Sequence, residues 1–218
     1  MMKENQENRK LTKGEEKRQA AFEERAAKLA AEGYRQTELV ASSGKANIVG
    51  PLYGLILSVP FIVLFFVVNR SGAAFRSFSF SFTNYLLFIL AMLAAIPVHE
   101  LIHGLTFCVF TEGKFKSLAF GFNRQALAPY CNCSEALTKG QYLTGLLMPC
   151  LLLGVIPCIA AIAAQSFWLL LFGVVMNLSA GGDLLITTLL VPHKPAGAAL
   201  YIDHPTKIGL TCFEKEGA

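Results

Sequence analysis

The sequence has 218 residues, of which 54% are hydrophobic and only 16% are charged, and its net charge is +4. A soluble chain normally has about a quarter charged residues, so this composition argues against an ordinary soluble protein. Its basic residues are interleaved with acidic ones, which argues against a nucleic-acid-binding surface. Residues 1–49 are rich in Lys, Arg and Glu, whereas long stretches after residue 50 have no charge. We therefore predict an N-terminal arm (1–49), a membrane domain (50–192) and a polar tail (193–218).

The arm contains the start signal of a helix. Thr12 and Glu15 fit a capping box, in which the Thr hydroxyl and the Glu carboxylate satisfy free backbone N–H groups. We predict a helix over 12–33 that ends at Gly33. Its weakly apolar face indicates a cytosolic helix that is solvated or lies on the membrane surface. A docking site for a partner is the alternative.

Four apolar runs are each long enough to cross a bilayer, which takes about 20 helical residues. They are 51–69, 82–110, 141–164 and 167–191. Little more than two polar residues separates the third run from the fourth, which predicts a tight helical hairpin. We expect an all-α integral membrane protein with four transmembrane helices. Alternating residues in the polar 111–140 loop leave room for one small cytosolic β-hairpin at the membrane surface.

The basic residues of the loops predict the orientation. If the N-terminus is cytosolic, the inner loops and the tail contain Lys114, Lys116, Arg124, Lys139, Lys194, Lys207 and Lys215. The outer side then has only Arg70 and Arg76. The positive-inside rule therefore predicts a multi-pass protein of the cell membrane whose N- and C-termini are both cytosolic.

Ionisable residues inside the predicted spans are few and fall into two clusters. The second span has His99, Glu100 and His103, and the fourth has Asp183. Burying such groups in hydrocarbon costs several kcal/mol each, so they are usually functional. His99 and His103 are four residues apart on one helical face and can bind a single Zn²⁺, while Glu100 can accept a proton from water that zinc activates. This HExxH pattern predicts a zinc-peptidase site; the alternative is a polar cluster that holds helices together.

A catalytic zinc site needs a third protein ligand, for which the sequence offers three candidates. Asp183 is the first, because it and both histidines lie at one membrane depth, roughly 10–16 Å from the cytosolic ends of their spans at 1.5 Å per residue. Glu135 and the pair Cys131 and Cys133, all in the 111–140 loop, are the other two.

Small and polar residues precede Asp183 in the fourth span. Gly181 and Gly182 would let this span approach the second span closely or unwind beside the metal. Asn177 either holds the backbone of a substrate or bonds across helices.

These residues resemble a family of bacterial membrane proteins called zincin peptidases, a domain family without an established function. The resemblance covers roughly 90–210. Its matching motifs are His99-Glu100-Leu101-Ile102-His103-Gly104, Gly181-Gly182-Asp183 and Asp203-His204-Pro205-Thr206-Lys207-Ile208-Gly209. More distantly, the chain is similar to the site-2 proteases, which place HExxH in one span and an Asp ligand, preceded by an Asn, in a later span. The resemblance implies that His99, His103 and Asp183 bind zinc and that Glu100 is the catalytic base.

We therefore expect a zinc-dependent, membrane-embedded endopeptidase. Its partners would be the lipid bilayer and a membrane-anchored peptide or protein substrate, cleaved near the cytosolic leaflet; no nucleic acid is expected. The alternative is a metal-binding membrane protein without protease activity, either a scaffold or a transporter. Transporters usually contain internal repeats, and the four spans show none.

Overall fold

The computed structural model describes residues 11–70, 81–123 and 128–215. Within these ranges, the helices are α1 (Lys13–Ala31), α2 (Ser43–Val68), α3 (Phe82–Phe110), α4 (Lys139–Pro149), α5 (Ile156–Ala164), α6 (Phe167–Ser179) and α7 (Gly181–Leu190). The strands are β1 (Arg35–Ala41), β2 (Leu118–Asn123), β3 (Ala128–Cys133), β4 (Ala198–Asp203) and β5 (Ile208–Lys215). A 3₁₀ turn at Lys114–Ser117 precedes β2, and a π-helical stretch at Cys150–Val155 joins α4 to α5. Arg76 and Arg124, which entered the orientation argument, lie outside the described residues.

Several helices have the length and composition of membrane spans. Among the described residues, α2, α3 and the continuous run Lys139–Ala164 are each long and apolar enough to cross a bilayer. Helices α6 and α7 are bent by 49° and pass the same test only when they are taken together. Large apolar side chains such as Val63, Leu90 and Ile159 are exposed on these helices. An apolar surface of this kind requires a non-aqueous neighbour, which hydrocarbon would provide.

The prediction of an all-α fold is wrong, because the described residues include two antiparallel sheets. Strands β2 and β3 form the small hairpin in the 111–140 loop, with Leu118 opposite Cys133 and Asn123 opposite Ala128. The second sheet has the order β1-β5-β4 and was not expected. Strand β1 belongs to the arm, whereas β4 and β5 belong to the tail. The sheet therefore joins two segments that are far apart in the sequence.

Helix α1 packs on this three-stranded sheet. Its capping box forms as the sequence predicts, with Thr12 and Glu15 bonded reciprocally. Phe22 and Leu29 are buried against the sheet residues Ile202 and Phe213. Burying each of these two side chains contributes roughly 1.5–3 kcal/mol. Helix α1 is therefore fastened to the sheet along one face, while most of its other residues are exposed.

A cluster of buried residues joins the opposite side of the sheet to the helices. It comprises Phe107, Cys133, Leu137, Tyr142, Leu146, Leu190, Tyr201, Leu210 and Cys212. A pair of backbone hydrogen bonds, between the N–H and C=O groups of Leu137 and Tyr201, ties the loop before α4 to strand β4. The sheet, the hairpin and the ends of α3 and α7 thus form one packed unit.

The glycines before Asp183 allow a close helix contact, but the partner is the first span rather than the second. A Cβ atom added at Gly181 would lie 2.2 Å from the backbone carbonyl carbon of Gly50 in α2, whereas one added at Gly182 would meet no atom within 4 Å. Contact between glycines lets two backbones approach without side chains between them. The chain bends at Ala180, and α7 begins anew with Asp183 in its first turn.

Candidate metal centre

Three side chains with metal-ligating atoms converge between α3 and α7. His99 and His103 lie one helical turn apart on α3, and Asp183 faces both from α7. Nε2 of His99 lies 3.1 Å from Oδ2 of Asp183, and Nε2 of His103 lies 3.4 Å from Oδ1. One ligand atom from each residue can be chosen so that all three lie within 4.8 Å of one another. The structure therefore brings together the two histidines and the first of the three candidates for the third ligand.

The hydrogen bonding of His103 tests whether this cluster suits a cation. Nδ1 of His103 lies 2.9 Å from the carbonyl oxygen of Gly145 in α4, which can only accept a hydrogen bond. Nδ1 therefore carries a proton, and if the ring is neutral Nε2 presents a lone pair towards the Asp183 carboxylate. Two acceptors facing each other at 3.4 Å require a positive charge between them, which either a proton on Nε2 or a metal ion supplies. A buried carbonyl that orients a histidine in this way is the usual support of a metal ligand.

Two imidazoles and a carboxylate form a typical donor set for catalytic zinc. The side chains of His99, His103 and Asp183 are 10%, 7% and 17% exposed. The site is thus shielded from bulk solvent but borders a cavity that water or a substrate can enter. These residues fit a zinc ion with one position left for a non-protein ligand.

Glu100 lies beside the cluster and faces the same cavity. Glu100 follows His99 directly on the helix, so it lies beside the face that the two histidines share rather than on it. It takes a backbone hydrogen bond from Cys131 in β3. The hairpin therefore fixes the carboxylate next to the cluster rather than within it, which is the position a proton acceptor requires.

The other two candidates for the third ligand lie elsewhere. Glu135 accepts hydrogen bonds from the N–H groups of Glu112 and Gly113, at 2.9 and 2.8 Å, and from the Ser117 hydroxyl. Burial opposes ionisation of Glu135, but these donors outweigh it and lower the pKa of the carboxyl. Glu135 thus holds the turn that follows α3.

Cys131 and Cys133 also belong to neither group of possible metal ligands found among the described residues. Burial raises the pKa of both thiols, in the case of Cys133 to about 12. Cys131 lines the cavity next to Glu100, whereas Cys133 is fully buried in the cluster that joins the sheet to the helices.

Asn177 is fully buried among helices and does not line the cavity. Its amide nitrogen donates to the Ser58 hydroxyl at 3.1 Å, and its Oδ1 accepts from the Cys150 thiol at 3.5 Å. A Cβ atom at Gly154 would overlap its Oδ1. Of the two predicted roles, these contacts correspond to bonding across helices, and the structure does not bring Asn177 to the histidines.

The cavity beside the cluster has a volume of about 800 Å³ and two walls. The membrane wall consists of side chains from α2, α3, α4, α6 and α7, and it includes His99, Glu100, His103 and Asp183. The outer wall consists of Arg18 of α1, the β2–β3 hairpin and the 203–209 segment. Sequence reasoning did not identify Arg18 or Asp203 as part of the site. For Asp203 there was a signal, because it begins the tail motif that carried the family resemblance.

Asp203 is the partly buried acid of the outer wall. Its Oδ2 accepts a hydrogen bond from the Cys133 N–H at 2.6 Å, and its Oδ1 accepts one from the Tyr142 hydroxyl. Burial raises the pKa of Asp203 to about 6, against the opposing effect of these two donors. The carboxyl thus connects β4 to the hairpin and to α4.

The rest of the tail motif holds the outer wall in place. Nδ1 of His204 accepts the N–H groups of Thr206 and Lys207, at 3.2 and 2.9 Å. Nζ of Lys207 lies 2.6 Å from a carboxylate oxygen of Glu38 in β1, and this hydrogen bond lowers the pKa of Glu38. Arg18 donates from Nε to the Pro205 carbonyl at 2.9 Å and from its guanidinium to the Tyr130 hydroxyl. The 203–209 segment is thus fastened to the arm and to the hairpin.

Fold and site together define a helical protein with membrane-type spans and an HExxH-plus-Asp cluster of the kind found in zinc peptidases. Residues 92–198, just under half of the chain, match the model of the family described as "Putative zincin peptidase". This match supports a zinc metallopeptidase. No curated protein and no solved structure matches the chain. The more distant likeness to site-2 proteases stays a prediction.

Proposed function

We propose that this protein is a zinc-dependent endopeptidase embedded in the cell membrane, which hydrolyses membrane-anchored substrates near the cytosolic leaflet. The observation that carries the proposal is the convergence of His99, His103 and Asp183 beside Glu100 on the wall of one cavity. A polar cluster that only holds helices together would not need a carboxylate beside it that faces a cavity.

The residues of the membrane wall divide the chemistry between them. When bound, zinc supplies a Lewis acid that polarises the scissile carbonyl and acidifies water. His99, His103 and Asp183 hold it, with the Gly145 carbonyl orienting His103. Glu100 accepts a proton from the attacking water and returns it to the nitrogen of the leaving amine. Water is thereby added across the C–N bond and Glu100 regains its starting state.

The position of the cavity supports a membrane-anchored substrate. Its membrane wall includes Ile89, Leu93 and Ile96 of α3, a helix with the length and composition of a span. Its outer wall belongs to the sheet and the hairpin. A chain segment that leaves the bilayer would pass from the first wall to the second. A cavity of about 800 Å³ is large enough for several residues of such a segment.

The strand pairing also bears on how the protein is oriented in the membrane. Because β1 pairs with β5, the arm and the tail lie on one side of the helices. The Leu137–Tyr201 hydrogen bonds place the 111–140 loop on that side too. These contacts agree with the grouping derived from the loop charges, and the positive-inside rule then assigns that side to the cytosol.

The decisive experiment separates metal binding from hydrolysis. Glu100→Gln should retain the zinc content of the wild-type protein and lose cleavage of membrane peptides by roughly 10²–10⁴-fold or more, because the proton acceptor is gone. Metal analysis of the purified variants and comparison of membrane-peptide abundance in cells would measure both quantities.

Glu112→Gln is the matched control, because Glu112 is exposed and only its backbone N–H contacts Glu135. It should retain both properties. Wild-type cleavage by the Glu100→Gln protein would refute the proposed mechanism. Zinc flux into proteoliposomes, without cleavage of any membrane peptide, would favour the alternative of a metal-binding protein that is not a protease.

A further inference from the structure

A second group of metal-ligating side chains lies at the other end of α7. His193 follows the helix by three residues, and Cys212 and Glu214 belong to β5. Nε2 of His193 lies 3.0 Å from Oε1 of Glu214, and the Cys212 sulfur lies 3.6 Å from the same oxygen. One ligand atom from each of the three residues fits within 4.8 Å of the others. We propose that His193, Cys212 and Glu214 form a second zinc site, distinct from the HExxH cluster.

Strand geometry explains why two of these residues point the same way. Cys212 and Glu214 are two positions apart, and alternate residues of a strand lie on one face of the sheet. Cys212 is fully buried, whereas the side chains of His193 and Glu214 are 16% and 23% exposed. The sulfur of the cluster therefore lies in the protein core, whereas the imidazole and the carboxylate are partly open to solvent. That side leaves room for a fourth, non-protein ligand.

A hydrogen bond on the far side of the imidazole from the cluster orients His193. Nδ1 lies 3.3 Å from the hydroxyl of Tyr201, a residue of β4 that is paired directly with Cys212. With Nδ1 donating to that hydroxyl, Nε2 presents its lone pair to the cluster. Lys139 holds the backbone here as well, because its Nζ donates to the carbonyls of Val191 and His193 at 2.8 and 2.9 Å. All three side chains thus have a fixed direction.

The donor set indicates which cation the site would take. One imidazole, one thiolate and one carboxylate are all ligands of zinc, and the thiolate disfavours magnesium and calcium. An ion pair between His193 and Glu214 would account for the 3.0 Å contact alone. Without a metal, the Cys212 thiol donates a hydrogen bond to the same carboxylate oxygen, so metal binding rather than the contacts separates the two interpretations.

Such a site would join the sheet to the helix that holds Asp183. Helix α7 carries Asp183 in its first turn and ends at Leu190, roughly 10 Å further along at 1.5 Å per residue. A zinc ion held by His193 and β5 would therefore fix the far end of that helix. The site would stabilise the structure and does not depend on the proposed peptidase activity.

Cobalt substitution distinguishes the two clusters, because Co²⁺ bound to thiolate has a near-ultraviolet charge-transfer band and Co²⁺ bound only by histidine and carboxylate has none. The full-length double variant His99→Ala/His103→Ala should still bind about one Zn²⁺ per chain, and its Co²⁺ form should show this band. This variant retains every residue of the second cluster. Absence of the band from both its Co²⁺ form and that of the wild-type protein would overturn the proposal.

Single substitutions then assign the ligands. Cys212→Ser should abolish the Co²⁺ band and reduce the zinc content of the otherwise wild-type chain from about two ions to about one. Cys108→Ser, the same change at a cysteine outside both clusters, should alter neither value. Glu214→Gln keeps the sulfur and tests the site if the Cys212 variant does not fold; it should also reduce the zinc content to about one ion. Persistence of the band in Cys212→Ser, or of two zinc ions in Glu214→Gln, would refute the assignment.

Discussion

The two walls of the cavity differ in how their residues come together. Three ionisable residues of the membrane wall fall within five positions of one helix, and Asp183 joins them from a second helix. The outer wall is assembled from α1, the hairpin and the 203–209 segment, which are widely separated in the sequence. The proton acceptor and two of the three proposed zinc ligands thus lie in one short segment of the sequence, whereas the wall that controls access to them depends on tertiary structure.

The strongest way to test this division is to make one substitution on each wall. Asp183→Asn should remove the zinc held at the HExxH cluster and reduce cleavage about 10³-fold, since a lost ligand costs several kcal/mol of metal-dependent stabilisation. Asp203→Asn, the matched change on the outer wall, should leave the zinc content unaltered. Metal analysis and cleavage assays would compare the two. Wild-type zinc content in Asp183→Asn would exclude Asp183 as a ligand.

The membrane wall also depends on a close contact between two helices, which a stability measurement can test without an activity assay. Gly181→Ala places a Cβ atom against the backbone of Gly50, so the helices must shift, at a cost of about 1–3 kcal/mol. Gly182→Ala meets no atom within 4 Å and should leave the melting temperature nearly unchanged. Thermal unfolding in detergent measures the difference. Equal melting temperatures for both variants would show that α2 and α7 do not approach as closely as described.

Loosening the outer wall should change substrate binding more than chemistry. Arg18→Ala removes the hydrogen bonds to Pro205 and Tyr130, which should raise KM severalfold while kcat stays within about twofold. Lys17→Ala, at an exposed neighbouring position on the same helix, is the control. Steady-state kinetics on a membrane-anchored peptide would separate the two constants. A fall in kcat with unchanged KM would instead connect α1 to the chemical step.

A further expected effect is the dependence of stability on the ionisation of Asp203. Its folded pKa of about 6 lies above the ordinary value of 3.8, so the unfolded chain releases this proton first as the pH rises. The free energy of unfolding should therefore decrease between about pH 4 and pH 6 and stay constant above pH 6. Each kcal/mol of lost stability should lower the melting temperature by roughly 2–4 °C.

Other groups titrate in the same range, so the relevant quantity is the difference between the wild-type protein and Asp203→Asn. The cysteine and tyrosine that donate to Asp203 do not ionise there, because thiols and phenols titrate at alkaline pH and burial raises the pKa of the Cys133 thiol to about 12. If the two melting curves run parallel from pH 4 to pH 7, the carboxyl of Asp203 is not perturbed as described.

The sequence predicts the membrane wall better than the outer wall, for a physical reason. The spacing of His99 and His103 follows from one helical turn, and membrane depth was sufficient to single out Asp183. The three-stranded sheet was missed because β1 is a short strand of mixed polarity that pairs only with residues about 170 positions later. Its partner β5 is buried on both faces, so no simple alternation marks it.

Asn177 shows the limit of analogy. An Asn that precedes an Asp ligand resembles the arrangement of the site-2 proteases, but the bend at Ala180 separates Asn177 and Asp183 into different helices. Asn177 then faces Ser58 and Cys150 instead of the cavity. The bend lies next to the close contact between Gly181 and Gly50, which no local pattern reveals.

The pairing of β1 with β5 also has a consequence for biogenesis. The ribosome makes β1 before the first membrane helix and β5 after the last one, so β1 has no strand partner while the helices between them are being inserted. The outer wall can close only when this contact between distant segments forms, which is a slow type of folding step. A newly made chain would therefore acquire its HExxH helix well before the outer wall of the cavity is complete.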